Sequence, residues 1–202
     1  MKLLPILLVG ALAAPLFLTA SKAEPVTLPV AGATYEIDGV HSSVLFRIKH
    51  LGVSYSYGRF NEITGSFVYD EAKPEASSIQ VEVATASVDT GHDGRDQHLQ
   101  SPDFFNAAEH PKITFKSKEV KKAKDGKLAV TGDLTLHGVT KPVTADVEFV
   151  GAGDRGQMGN KAGFEATFAI KREDFGMTKM VGETGIGNEV RVTVSLEGNL
   201  KQ

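Results

Sequence analysis

At 202 residues and a formal net charge of −3, the chain has room for one domain with a sizeable core or two small ones. Its mild acid excess argues against nucleic-acid partners, which need a concentrated basic face, and as an overall balance it offers no polybasic patch to anionic lipid surfaces. It has no cysteine, so no disulfide staples the fold and no thiol is present to carry a bacterial lipoprotein lipid.

The first segment, MKLLPILLVGALAAPLFLTASKAEP, sets Lys2 ahead of an apolar run from Leu3 to Leu18, and small residues follow. Ser21 and Ala23 fill the two small-residue places of a cleavage site ahead of Glu24, the layout of a secretory signal peptide. The run is short for a membrane span and broken by Pro5 and Pro15. Residues 1–23 are therefore expected to be cut away between Ala23 and Glu24. Loss of Lys2 and Lys22 leaves a net charge of −5, and the expected product is a soluble periplasmic protein without stable membrane insertion. Residues 24–34 read as a linker and residues 35–202 as one domain.

From Tyr35 onward apolar and polar residues alternate. The apolar members are Val44/Phe46/Ile48, Ile63/Gly65/Phe67/Tyr69, Ile79/Val81/Val83 and Ile113/Phe115. They continue as Leu128/Val130, Leu134/Leu136, Val143/Ala145/Val147/Phe149, Phe164/Ala166/Phe168/Ile170 and Val190/Val192/Val194/Leu196. Successive strand residues point to opposite faces, so a period of two predicts half-buried strands. The turn-rich segments EAKPEASS, KAKDGK, GAGDRGQMGN and VGETGIGN separate them. About eight strands with short connections predict an all-β fold, an antiparallel barrel or sandwich. Closure would remove exposed sheet edges, and eight strands make an interior that side chains can fill or that holds one small ligand. Ala145, Ala166, Gly65 and Gly132 fall on the inward faces, and their small size favours a cavity.

One interval breaks the alternation: TGHDGRDQHLQSPDFFNAAEHP, from Thr90 to Pro111. It predicts a helical crossover with a helix over Asp93–Gln100, then Ser101 as an N-cap with Pro102 in the first helical position. Three of the six histidines, His92, His98 and His110, lie here with Asp93, Asp96, Asp103 and Glu109, but without the tight spacing of a metal site. His50 continues the Val44-Phe46-Ile48 face into the interior, either as a hydrogen-bonded core histidine or as a polar contact for a ligand head.

The stretch GDLTLHGVTKPVTADVEF poses the question of function most directly, because alternation runs on both sides of His137-Gly138. A catalytic His137 would make an enzyme, whereas a turn would make a container. Turn chemistry accounts for His-Gly, with Pro142 suited to the start of the next strand. No G-x-S-x-G elbow is present, and Ser42 and Ser43 beside His41 form no specific signature. The DFG at Asp174–Gly176 lacks the other kinase motifs, and GETGIG does not open a helix after a strand.

Several ordered stretches together resemble the YceI-like family of exported lipid-binding proteins. They are YEIDGVHSSVLFRIKHLGVSYSYGRF, HPKITFKS, LTLHGVTKPV, REDFGM and IGNEVRVTVSLEG, and they span Tyr35 to Gln202. The resemblance implies an extended, lipocalin-like eight-stranded antiparallel barrel whose apolar cavity takes a polyisoprenoid, such as a quinone tail, or another long-chain amphiphile. It implies a lipid as ligand and partner, no resident cofactor, no catalytic role, and dimers among its members. Phe46, Ile48, Phe67, Val81, Phe115, Val130, Leu134, Val147, Phe168 and Val192 are the expected channel lining, with His50 as polar contact at one end. Two departures stand out: Asn106 and Asn188 occupy places where relatives often carry Asp. An enzyme using His50 or His137, and a filled barrel acting through its surface as a stress or adhesion factor, are the competing readings.

Overall fold

The computed structural model describes residues 32–201. The signal-peptide reading, with its cleavage between Ala23 and Glu24, lies outside the described residues, as does the linker up to residue 31. Eleven strands and one α-helix follow in the order β1 (Ala33–Ile37), β2 (Ser43–His50), β3 (Ser54–Phe60), β4 (Ile63–Tyr69), β5 (Ser78–Ala84), β6 (Val88–Asp89), α1 (Asp93–Gln100), β7 (Lys112–Lys122), β8 (Leu128–Leu136), β9 (Val139–Asp154), β10 (Asn160–Lys171) and β11 (Ile186–Leu200).

All strands belong to one antiparallel sheet. Eight of them run β1-β4-β5-β7-β8-β9-β10-β11, and β11 pairs back onto β1 to close a barrel. The long β11 makes this possible. Its C-terminal part pairs with β1, Tyr35↔Leu200 to Ile37↔Gly198, and its N-terminal part with β2, Val190↔Ile48 to Ser195↔Ser43. β2, β3 and β6 thus extend the sheet past the ring as a flap at one end. The expected eight-stranded barrel with a helical crossover is the architecture. The membership differs in one place: alternation marks β2, but β1 is the strand that closes the ring. β3 escaped alternation because its large residues, Tyr55 and Tyr57, face out while Ser54, Ser56 and Gly58 share a face with Phe60.

The interior is apolar and charge sits outside, on residues such as Lys116, Asp146, Glu148 and Glu165. That is the inverse of a membrane-spanning barrel, whose outer band is apolar. Among the described residues no helix is long and apolar enough to cross a membrane. An aromatic group packs one wall: Tyr35 stacks on Phe67 at 5.1 Å, Tyr69 on Phe149 at 4.8 Å, and Phe164 meets Phe67 edge-on at 5.3 Å.

Two expectations are corrected. α1 spans Asp93–Gln100 as read, but Ser101 ends it: its hydroxyl donates to the His98 carbonyl at 2.7 Å, and His92 is the N-cap. No helix starts at Pro102, because the chain folds back. The Phe105 and Ala107 amides donate to the carbonyls of Leu99 and Gln100, and Phe104 is buried. Nor do Gly65 and Gly132 leave open volume. A Cβ at Gly65 would collide with the β5 backbone, and one at Gly132 would lie 2.6 Å from the Phe115 ring.

Candidate functional site

The inward faces of the ring do not meet in the middle. They enclose a cavity of about 550 Å³, within the range of ligand pockets. The structure brings together on its wall all ten residues named from alternation: Phe46 and Ile48 of β2, Phe67 of β4, Val81 of β5, Phe115 of β7, Val130 and Leu134 of β8, Val147 of β9, Phe168 of β10 and Val192 of β11. Ala145 and Ala166 line it as well. Phe67, Val81, Val130, Leu134 and Val147 are buried, whereas Phe46, Ile48, Phe115, Phe168 and Val192 face inward yet remain partly exposed. Inward and still accessible is the signature of an unfilled interior, since packed cores leave few voids larger than a water molecule.

Three buried clusters surround the void: the aromatic wall around Tyr35 and Phe67, the group of Val120, Leu128, Val130, Ala145 and Val147, and Leu134 and Leu136 with Phe175 and Met177. Gly58 sets one side chain of the lining. A Cβ there would strike the Phe46 ring, so the glycine lets that ring lie flat against β3.

The charged groups of the lining gather at one end and are all basic. They are Arg95 and Arg172, with His50 and His98 beside them; among the described residues no carboxylate lines the cavity. Arg172 opens the short 3-10 turn Arg172–Phe175 and is 4% exposed. Its Nε donates to the Gly187 carbonyl at 3.0 Å, and its Nη atoms donate to the carbonyls of Lys179 at 3.2 Å and Ile186 at 3.1 Å. Burial pushes its pKa down. The side chain ties Lys179 and the start of β11 to the 3-10 turn through neutral acceptors. Arg95 is exposed and donates to the Thr90 hydroxyl at 2.6 Å and carbonyl at 2.7 Å. The nearby acids are engaged elsewhere. Asp96 accepts from Thr90, and Asp103 accepts from His98 Nε2 and Lys179 Nζ, both at 3.1 Å, which hold its pKa down.

His50 touches the cavity, but as an exposed residue at its mouth and not as a core histidine. β2 runs out of cover there, since His50 pairs with Ser54 across a three-residue tip. His137 does not line the cavity. With Gly138 it makes a two-residue turn at φ 51° and 73°, the mirror-image hairpin turn that suits the twist of β8 and β9. Its Nδ1 lies 3.0 Å from the Phe175 carbonyl, and its ring lies 5.1 Å from that of His110. The structure thus places His137 in the turn, outside the cavity lining.

The two asparagine departures have local explanations. Asn106 adopts φ 47°, a conformation asparagine tolerates. Asn188 accepts from the Glu173 amide at 3.1 Å and donates to the Glu173 carboxylate at 2.7 Å, a bond an aspartate could not make. A further cluster, Asp38, His41 and Glu197, lies outside the cavity where β1 turns toward β2. Lys161 Nζ sits 3.5 Å from Asp38 and 3.2 Å from Glu197, so an ammonium already supplies the positive charge.

Sequence reasoning missed Arg95, His98 and Arg172 at the basic end, and Val44, Phe60, Phe164 and Val194 along the wall. Val44, Phe164 and Val194 share the alternation and were within reach of it. Arg172, in the charged run RED, carries no signal of burial.

Residues 35–198 match the family model of the YceI-like domain. The chain is 48% identical to the protein YceI of Escherichia coli over 168 residues, 82% of this chain and 86% of the relative. Its fold is similar to that of Burkholderia cenocepacia BcnA, with TM-score 0.71 and 27% identity over 80% of this chain and 98% of that one. It is also similar to a polyisoprenoid binding domain from Saccharophagus degradans implicated in plant cell wall breakdown. There the TM-score is 0.62 and the identity 17%, over 84% of this chain and 99% of that one.

Proposed function

Since the chain belongs to the YceI-like domain family, we propose that it is a periplasmic carrier or store for a long-chain amphiphilic lipid, with a polyisoprenoid such as a quinone tail as the favoured ligand. The observation that carries this reading is the ring of inward-facing, incompletely buried apolar side chains around a cavity of about 550 Å³. The polyisoprenoid binding described for the Saccharophagus domain supports it. The guanidinium of Arg95 suits a head group bearing acceptor oxygens because it only donates, whereas Arg172 and His98 Nε2 already spend hydrogen bonds on the protein itself.

The energetics are adequate. About fifteen methylene or equivalent groups moved from water to an apolar wall gain roughly 12 kcal/mol. Association and ordering cost at least about 4 kcal/mol, and the remaining ~8 kcal/mol corresponds to a micromolar dissociation constant. Binding is favoured over catalysis because neither lining histidine, His50 or His98, has a hydroxyl nucleophile hydrogen-bonded to it among the described residues.

The test is mass spectrometry of an organic-solvent extract of the protein purified from an exporting bacterial host. A stoichiometric polyprenyl species is expected. An empty extract, together with failure of apolar probes to enter the cavity, would leave a barrel acting through its surface.

A further inference from the structure

We infer that the β2–β3 hairpin is a docking element for an anionic phospholipid bilayer, setting the mouth of the cavity on the membrane that supplies or receives its ligand. The inference rests on the reading of the cavity as a lipid site.

The hairpin stretch 42–60, SSVLFRIKHLGVSYSYGRF, carries Arg47, Lys49 and Arg59 and no aspartate or glutamate, in a chain of net charge −3. The acid excess of the whole molecule conceals this local reversal. Exposed apolar surface concentrates in the same place. Among the described residues nine large apolar side chains are exposed, and five of them are Leu45, Leu51, Val53, Tyr55 and Tyr57. A sixth, Met180, is on the loop beside the tip, where the Leu51 amide donates to the Gly185 carbonyl at 2.7 Å.

The register explains how one hairpin serves two purposes. On its inner face Phe46, Ile48, His50 and Ser56 line the cavity, which the largely exposed Tyr57 also touches. On its outer face Leu45 opposes Arg59, Arg47 opposes Tyr57 and Lys49 opposes Tyr55, with the Arg47 guanidinium 4.5 Å from the Tyr55 ring centre. Beyond both faces projects the tip, where Val53 is 84% exposed. Tyrosines and a short apolar tip suit the headgroup zone of a bilayer, and flanking Lys and Arg suit its phosphates. The acids that face this surface are few. Glu189 is paired with Arg191 at 2.9 Å, Asp89 stands opposite Arg59, and Glu183 lies beside Gly52. A second copy of the chain fits less well, because strand-to-strand contact would bring like charges from the two hairpins together. The rest of the molecule, net acidic, would be repelled by the same membrane, which orients the mouth toward it.

The experiment is flotation of the exported protein with phosphatidylcholine vesicles, with and without phosphatidylglycerol, at low and high salt. The expected result is binding to the anionic vesicles alone, weakened by salt. Lys49→Glu should lower it by roughly tenfold or more, and Val53→Asp should abolish it. Neither residue lines the cavity, so both variants should keep their extracted lipid. Wild-type protein that carries lipid yet floats with neither vesicle, or variants that float as wild type does, would overturn the docking inference and leave the cavity reading intact. Protein with an empty, probe-excluding cavity would remove the cavity reading, and with it the ground for docking. A dimer in light scattering that Val53→Asp splits, without vesicle binding, would give the surface to a second copy and overturn the inference.

Discussion

β8 and β3 are both strands with a period of two, and they end in opposite circumstances. In β8 every second residue from Leu128 to Leu136 is buried, whereas in β3 only Phe60 is. β8 lies between β7 and β9, paired along its length on both sides, with its inner face over the cavity. β3 pairs fully with β2 but meets β6 only at Arg59 and Phe60. Alternation thus reports which face a side chain takes, and the neighbouring strands decide whether that face is covered. The ring spends its apolar residues on a wall, and the flap leaves them on a surface.

The largest test of this contrast is Phe168→Asp. A carboxylate on the inner wall of the ring should remove lipid from the extract and cost about 4 kcal/mol of stability in denaturant titration. A folded variant with unchanged lipid content would reverse the inside and outside of β10. A matched pair of truncations comes next. Leu134→Ala in the ring should cost about 3 kcal/mol, and Val53→Ala in the flap less than about 0.5 kcal/mol. Equal costs would erase the distinction between the two regions.

Turn geometry gives a smaller effect. Gly138→Val puts a branched side chain at φ 73°, with its Cβ 2.6 Å from the His110 ring, and should cost about 2 kcal/mol. His137→Asn puts in a residue that tolerates the same left-handed conformation and should leave stability and lipid content unchanged; loss of either would show that the imidazole does more than shape the turn.

The smallest effect is confined to acid and lies at the seam where β1 passes into β2. A side-chain hydrogen bond from His41 holds the Asp38 pKa at about 2, below its ordinary 3.8. A carboxylate with a depressed folded pKa stabilises the fold above its unfolded value, and that contribution is lost as pH falls. The stability difference between the protein and Asp38→Asn should therefore be steady at neutral pH and shrink between pH 3.8 and about 2. A difference that stays flat through this window would show that the fold does not lower the Asp38 pKa.

Much of the wall was legible in the sequence for a physical reason. Residues such as Val130, Val147 and Phe168 lie in long strands where bulky apolar residues recur at every second place, so period two fixes their side. The basic end was not legible. Arg172 is buried because the Lys179 carbonyl and those of Ile186 and Gly187 at the start of β11, all later in the chain, converge on its guanidinium. Asp38, His41 and Glu197 meet only because β11 returns to β1. The helix α1 is legible in its sequence, whereas Ser101 is ambiguous, because an N-cap residue and a residue closing a helix by its hydroxyl look alike in sequence.

By itself the sequence determined the all-β class, the inward and outward sides of most strands, and the turn at His137-Gly138, since these follow from local sterics and a two-residue period. The tertiary structure decided the rest. It settled which strand closes the ring, that Gly65 and Gly132 are overlaid and not empty, that the inward faces stand apart around a cavity, and that arginines gather at one end of that cavity in a chain of acidic balance. Each of these depends on how far apart distant segments come to rest, a distance that no local pattern carries.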